Sequence, residues 1–160
     1  FQVYEDASIN FNWTKILKTQ CKKYKIDFMT APYDLGYVDK VNQFIAAYKI
    51  GSGDITWIEI VEYIAAKGKP VLLATGASDI TDVSRAVEAI LKVSPNLVLM
   101  QCNTNYTAES DNYQSLNLNV ISTYKKKREK KVYPVLFYSN LFIVIFLLVL
   151  LLAAILGWFF

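Results

Sequence analysis

Hydrophobic and polar positions along residues 1–124 follow two alternating patterns, which predict strands and helices in turn. Short apolar runs bounded by glycine, proline or polar residues are typical of strands covered on both faces by helices. These runs are 26–29, 47–50 and 71–74, with a strand-like pattern around Cys102. Between them, apolar residues recur at helical spacing. The predicted helices cover 13–24, with Trp13, Ile16, Leu17 and Cys21 near one face, then 35–44, 57–66 and a longer stretch ending near Leu91.

The start of the longer helix is predicted from polar residues. Short oxygen side chains cap exposed N–H groups, so Ser78-Asp79 or Thr81-Asp82 begins it. About four strand-and-helix units result, and this alternation predicts an α/β fold with a parallel sheet. The pattern alone does not separate half of a (β/α)8 barrel from a doubly wound sheet.

Polar residues follow the predicted strands where these end. Ligands of parallel sheets bind at the carboxyl ends of the strands, and backbone N–H groups in glycine-rich turns attract anions. A lone lysine at a strand end is more often solvated or salt-bridged, but Lys49 stands beside two glycines, a serine and an aspartate. The candidate site residues are Thr30, Lys49, Ser52, Asp54, Thr75, Thr104, Asn105 and Tyr106.

Several motifs carry a resemblance to a known family. Tyr-Lys-Ile-Gly-Ser-Gly-Asp at 48–54, Gly-Lys-Pro-Val-Leu-Leu-Ala-Thr-Gly at 68–76 and Leu-Val-Leu-Met-Gln-Cys-Asn-Thr-Asn-Tyr at 97–106 resemble the sialic acid synthases. That family includes legionaminic and related nonulosonic acid synthases. The resemblance implies a partial (β/α)8 barrel, phosphoenolpyruvate and an N-acylhexosamine as substrates, and a divalent metal, Mn or Mg, in the intact enzyme.

The resemblance also implies residue roles. Lys49 and Ser52 match positions that hold the phosphate or carboxylate of phosphoenolpyruvate, and Asp54 matches an acidic position that makes it the candidate catalytic residue. Tyr106 lies where the family meets the sugar. Thr75, Thr104 and Asn105 complete the predicted substrate-binding set.

Departures from the family weaken the expectation of activity. Many members have a hydroxyl residue in place of Ala31, serine in place of Ala74 and histidine in place of Gln101. The resemblance implies that two histidines hold the metal, whereas this sequence has none. Carboxylates are weak candidates for a hard cation and lack the family's ligand spacing; they are Asp34, Asp54 and Glu109. The chain has 160 residues and opens at Phe1, while a whole barrel needs about 250. We therefore expect an inactive fragment without a bound metal.

Charge and cysteines add little to the globular part. Much of the formal net charge of +3 sits in the basic run 125–131, which is interpreted as a solvated linker and not as a nucleic-acid tail. Two cysteines without a disulfide-like framework favour a reduced, cytoplasmic setting. The predicted organisation is a synthase-like domain over 1–124, the linker, and a hydrophobic segment over 132–160.

The hydrophobic segment leaves two interpretations open. Residues 141–160 carry no charge or proline and are long enough to cross a bilayer, which predicts a C-terminal anchor with residues 1–131 in the cytosol. A shifted reading frame is the alternative, because one base of shift turns a Gly-Ala-Val-Ala codon series into Val-Leu-Leu-Leu, as at 149–152. The function is thus predicted as a synthase fragment or, alternatively, a non-catalytic tail-anchored protein. A soluble phosphoenolpyruvate-binding module is the third option.

Overall fold

The structure, a computed structural model, describes residues 10–105 and 110–131. Strands and helices alternate along them, as the sequence pattern predicts. In chain order the elements are α1 (Asn12–Lys23), β1 (Met29–Thr30), α2 (Leu35–Asn42), β2 (Ala47–Ile50), a 3-10 turn (Ser52–Asp54), α3 (Ile58–Ala65), β3 (Val71–Ala74), α4 (Ile80–Leu91), β4 (Leu97–Met100), a second 3-10 turn (Ser110–Ser115) and α5 (Asn119–Lys131).

The four strands form one parallel sheet in the order β1-β2-β3-β4. Each new strand pairs with the one before it, with Lys49 opposite Leu72 and Ala74 opposite Met100. A doubly wound sheet reverses its strand order at a switch point, whereas a barrel wall adds strands in sequence. The observed order therefore favours the barrel wall and confirms the predicted parallel α/β fold.

One face of the sheet packs against the helices and forms the core. Side chains alternate between faces along a strand, and Tyr48, Ile50, Val71 and Leu73 all belong to the buried cluster on the helical side. The Tyr48 hydroxyl donates to the carbonyl of Val38 in α2, 3.1 Å away, and burial raises the pKa of that phenol to about 12. The opposite face carries the intervening residues.

Aspartates cap two of the helices. Asp34 accepts a hydrogen bond from the Tyr37 N–H, and Asp79 accepts from the N–H groups of Thr81 and Asp82 at 2.7 and 2.9 Å. Of the two starts that the sequence offers for α4, the structure selects Asp79, because it satisfies two N–H groups that would otherwise lack an acceptor.

Helix α1 forms as predicted, but its apolar side chains do not face the core. Trp13, Ile16 and Leu17 are 56%, 58% and 43% exposed, while Thr14 is buried at 3%. The Thr14 hydroxyl lies 3.4 Å from that of Tyr37, and Phe11, directly before α1, packs edge-on against Tyr37 and Phe44. Helical spacing predicts which residues share a face of the helix, but it does not predict whether that face turns toward the core or toward solvent.

The basic run 125–131 forms the C-terminal half of α5, consistent with the good helix propensity of lysine, arginine and glutamate. In residues 10–105 and 110–131, no helix is both long and apolar enough to span a bilayer. The predicted anchor at 141–160 lies outside the described residues.

Candidate functional site

Lys49 lies near the carboxyl end of β2, on the sheet face away from the helices. Its neighbours Tyr48 and Ile50 are in the helical-side core, and its partner Leu72 alternates with the core residues Val71 and Leu73. Lys49 is half-buried between two buried residues. The two salt bridges found in the described part of the chain, Lys67–Asp39 and Arg85–Asp82, do not involve it. The alternation therefore places the Lys49 side chain on the face of the sheet away from the helices, its inner face.

Ser52 and Gly76 join the turns that follow β2 and β3. The Gly76 N–H donates to Ser52 Oγ over 3.1 Å. A Cβ at residue 76 would stand 2.7 Å from Thr104 Cγ2, 2.9 Å from the Cys102 carbonyl and 3.0 Å from Ser52 Oγ, so only glycine fits. Three strand ends therefore meet at this point, and the structure brings together the predicted site residues Ser52 and Thr104.

Thr75 is buried and has protein partners on both sides of its hydroxyl. Its Oγ1 donates to the Met100 carbonyl at 3.0 Å, and its backbone N–H donates to the same carbonyl at 2.9 Å. Tyr124 of α5 donates to Thr75 Oγ1 at 3.0 Å. A role for Thr75 in substrate binding stays a prediction, while this geometry fixes the end of β3 to the end of β4.

Asp54 closes the 3-10 turn Ser52–Asp54 and is half-buried. Burial raises the pKa of its carboxyl group, because desolvation disfavours the charged form. The carboxylate also lies against Gly51, where a Cβ would be 2.9 Å from Asp54 Oδ2. A carboxyl whose pKa is raised near a ligand turn is a candidate proton donor or acceptor.

Asn105 belongs to an asparagine network beyond β4. The Asn103 side chain accepts from the Asn105 N–H and donates to Asn112 Oδ1, both at 3.0 Å, and Asn112 donates to the Asn105 carbonyl at 2.8 Å. The network ties the chain after β4 to the turn Ser110–Ser115. Tyr106, the predicted sugar contact, lies outside the described residues, as does Glu109.

Lys69 belongs to the second motif but lies at the other end of the sheet, just before β3. Its ammonium group donates to the carbonyl oxygens of Asn42 and Ile45, the second at 2.5 Å. Burial, and to a smaller extent the nearby charge of Lys18, lowers the pKa of Lys69. Lys69 therefore binds the end of α2 and the loop that follows it, whereas Lys49 lies near the carboxyl end of β2.

A divalent metal is implied by the resemblance, but the described residues do not fit one. In the ranges that the structure describes, no three His, Cys, Asp or Glu side chains come together as a metal site. Asp34, a weak candidate by its chemistry, caps α2. The chemistry derived below therefore concerns the anion alone.

Sequence reasoning missed Tyr124, Asn103 and Asn112. Tyr124 precedes the basic run and carries no signal of its own, since its partner Thr75 is 49 residues away. Asn103 and Asn112 stand beside predicted residues, and asparagines near a strand end are a weak signal for turns.

Residues 1–134 match the NeuB family. An uncharacterized protein of Methanocaldococcus jannaschii is 39% identical over 111 residues, which are 68% of this chain and 32% of that protein. The N,N'-diacetyllegionaminic acid synthase of Campylobacter jejuni is 28% identical over 128 residues, 78% of this chain and 37% of the relative. The crystal structure of an N-acetylneuraminic acid synthetase from Leptospira borgpetersenii, in complex with citrate, has a TM-score of 0.72 at 26% identity, covering 85% of this chain and 46% of its own.

The chain spans about a third of the length of these curated relatives. Its fold matches that of a sialic acid synthetase, and the relatives include an N,N'-diacetyllegionaminic acid synthase and an N-acetylneuraminate-9-phosphate synthase. These findings confirm the resemblance seen in the three motifs. The chain therefore belongs to the NeuB family.

Proposed function

We propose that this chain is part of a synthase that condenses phosphoenolpyruvate with an N-acylhexosamine to form a sialic-acid-like nonulosonic acid. The described residues would supply the wall that binds the phosphoenolpyruvate anion. Family membership supports the reaction class, and the named relatives make products of this kind. Because the chain spans about a third of those relatives, the complete reaction belongs to the whole enzyme.

The observation that carries the proposal is the position of Lys49. It stands on the inner face near the carboxyl end of β2, without a salt bridge among the described residues, and the turn with Ser52 follows directly. Phosphoenolpyruvate carries phosphate and carboxylate groups, which form short charge-assisted hydrogen bonds with an ammonium group. A half-buried ammonium group that forms no salt bridge within the part of the chain that the structure describes is suited to receive them.

Ser52 complements Lys49. Its oxygen accepts from the Gly76 N–H, so its own proton stays available for donation to an anion. Asp54, with its raised pKa, is proposed to exchange a proton at the same turn. Thr104, Asn105 and Tyr106 are proposed at the sugar end, and Thr75 borders the site.

We expect anion binding without turnover by this chain alone. The resemblance implies that two histidines hold a metal, which acts as a Lewis acid on the sugar aldehyde. This sequence has no histidine. Binding of the anion by Lys49 and Ser52 needs neither the histidines nor the metal. Anion binding is therefore the activity to measure.

Isothermal titration calorimetry of the 160-residue chain with phosphoenolpyruvate tests the proposal. Lys49→Gln is expected to weaken binding by at least about tenfold, since a hydrogen bond to a charged group contributes about 1.5–3 kcal/mol. Lys92→Gln removes the same charge from the exposed end of α4 and is expected to bind like the parent chain. No heat with the parent chain at millimolar ligand, or equal binding by Lys49→Gln, would refute the proposed site.

A further inference from the structure

Tyr124 connects helix α5 to the edge of the sheet that carries the proposed anion site. Its hydroxyl donates to Thr75 Oγ1 at 3.0 Å, and Thr75 Oγ1 donates onward to the Met100 carbonyl at 3.0 Å. Tyr124 and Thr75 are only 8% and 6% exposed. Because Tyr124 fills the acceptor side of the Thr75 hydroxyl, the Thr75 proton is held toward Met100 and the end of β3 is fixed to the end of β4.

The constraint passes from Thr75 to the next residue. Gly76 donates its N–H to Ser52 Oγ at 3.1 Å, and the space around its Cα is filled by Thr104, Cys102 and Ser52. In so tight a junction, a shift at the end of β3 cannot be absorbed by empty space and is passed to its neighbours. The placement of the Ser52 hydroxyl therefore depends on where Thr75 is held.

We propose that Tyr124 is a positioning residue for the anion site. It acts through Thr75 and Gly76 on Ser52. This inference rests on the proposed function, because the property it tunes is phosphoenolpyruvate binding. A phenylalanine at this position would keep the buried ring and remove only the hydroxyl that orients Thr75.

The test uses Tyr124→Phe in the full chain with two readouts. Titration calorimetry is expected to show phosphoenolpyruvate binding weakened roughly fivefold, the size of one lost hydrogen bond. Amide hydrogen exchange in the ligand-free chain, followed by NMR, is expected to show the Gly76 N–H exchanging at least about tenfold faster. Circular dichroism checks that the variant is folded.

Two further variants separate positioning from a general loss of stability. Tyr63→Phe removes a tyrosine hydroxyl that donates to Asp39 at 2.8 Å on the outer surface, and it is expected to change neither readout. Ser52→Ala removes the group on which Tyr124 is proposed to act. In that background Tyr124→Phe is expected to cause no further loss of affinity, because coupled residues are not additive.

Unchanged Gly76 exchange in folded Tyr124→Phe would overturn the inference, and so would an equal loss of affinity with and without Ser52. Failure of the parent chain to bind phosphoenolpyruvate would refute the proposed function instead. The exchange of Gly76 would still decide whether Tyr124 positions the junction.

Discussion

Burial of the Asp54 carboxyl group lowers the free energy of unfolding, and the size of this effect depends on pH. Burial raises the pKa of its carboxyl group above the value in the unfolded chain. Below the ordinary pKa of about 3.9 both states are neutral and there is no cost. As the pH rises, the unfolded state ionises first, so the free energy of unfolding falls until the pH passes the raised folded pKa.

Asp54→Asn is therefore expected to be more stable than the parent at pH 7, with the gain disappearing near pH 3. Urea unfolding across this range measures it. Asp79→Asn is the control of opposite sign, since the backbone N–H groups of Asp82 and Thr81 lower the pKa of the Asp79 carboxyl. That variant is expected to lose stability at pH 7 and to match the parent at low pH. An unchanged or lower stability of Asp54→Asn at pH 7 would contradict the raised pKa of the Asp54 carboxyl group.

Ala74 gives a second prediction at the residue scale. It ends β3, is 1% exposed, and shares the inner face with Lys49, since Leu72, two residues before it, is the partner of Lys49. Many members of the family have serine at this position. Ala74→Ser is expected to add a donor for the anion and to strengthen phosphoenolpyruvate binding about fivefold, or about 1 kcal/mol, in titration calorimetry.

Ala47→Ser is the matched control for Ala74→Ser. Ala47 lies two residues before Lys49 on the same face of β2, toward the amino end of the strand, and is similarly buried. It is expected to leave phosphoenolpyruvate affinity unchanged. Equal or weaker binding by a folded Ala74→Ser variant would show that position 74 does not face the bound anion.

At the scale of the element, helix α1 ends with the hydrogen bonds of a Schellman motif. Lys25 occupies the position of this motif that favours glycine. The Ile26 N–H donates to the Cys21 carbonyl and the Lys25 N–H to that of Lys22, at 3.0 and 3.2 Å. Lys25 has φ 56°, the left-handed region that glycine normally occupies at this position.

Lys25→Gly is expected to stabilise the chain by about 0.5–1 kcal/mol. It removes a steric cost of about 1–2 kcal/mol and adds a backbone entropy cost of about 0.5–1 kcal/mol. Urea unfolding measures the change. Lys22→Gly, inside the same helix, is expected to lose about 1 kcal/mol. A loss of stability in Lys25→Gly would show that the helix does not end in this motif.

Elements were predictable where the local pattern decides them. The strand at 47–50 and the helix at 57–66 agree with β2 and α3 within a residue at each end, because buried runs and helical spacing are read from neighbours in sequence. The pattern predicts the edge strand β1 at 26–29, whereas β1 forms at Met29–Thr30, because its short pairing with β2 is set by the register of the sheet. Pattern alone did not select the barrel wall, which follows from the strand order.

The candidate site was predictable only in part, for the same reason. Lys49 lies near the end of β2 and Ser52 lies just after that strand, and one motif contains both, so the sequence identifies them together. The bond from Tyr124 to Thr75 joins residues 49 positions apart, and only the packing of α5 on the sheet creates it. Long-range hydrogen bonds of this kind leave no local periodicity to detect.

At the scale of the whole molecule, the described residues form a wall with unfinished boundaries. Strands β1 and β4 lie at the two edges of the described sheet, and the inner face carries half-buried Met29, Val98 and Met100. Edge strands offer backbone groups for pairing, and exposed apolar surface promotes association. The stripe of Trp13, Ile16 and Leu17 on α1 adds to this surface.

Self-association through α1 is therefore expected, and Ile16→Glu tests it. Ile16 is 58% exposed, so the charge is expected to change the free energy of unfolding by no more than about 0.5 kcal/mol. Concentration-dependent association, measured by sedimentation velocity, is expected to decrease because a carboxylate interrupts the apolar stripe. Thr19→Glu adds the same charge at an exposed polar position of α1 and is expected to leave association closer to that of the parent. A strong loss of stability in Ile16→Glu would instead mean that the stripe is already covered within the folded chain.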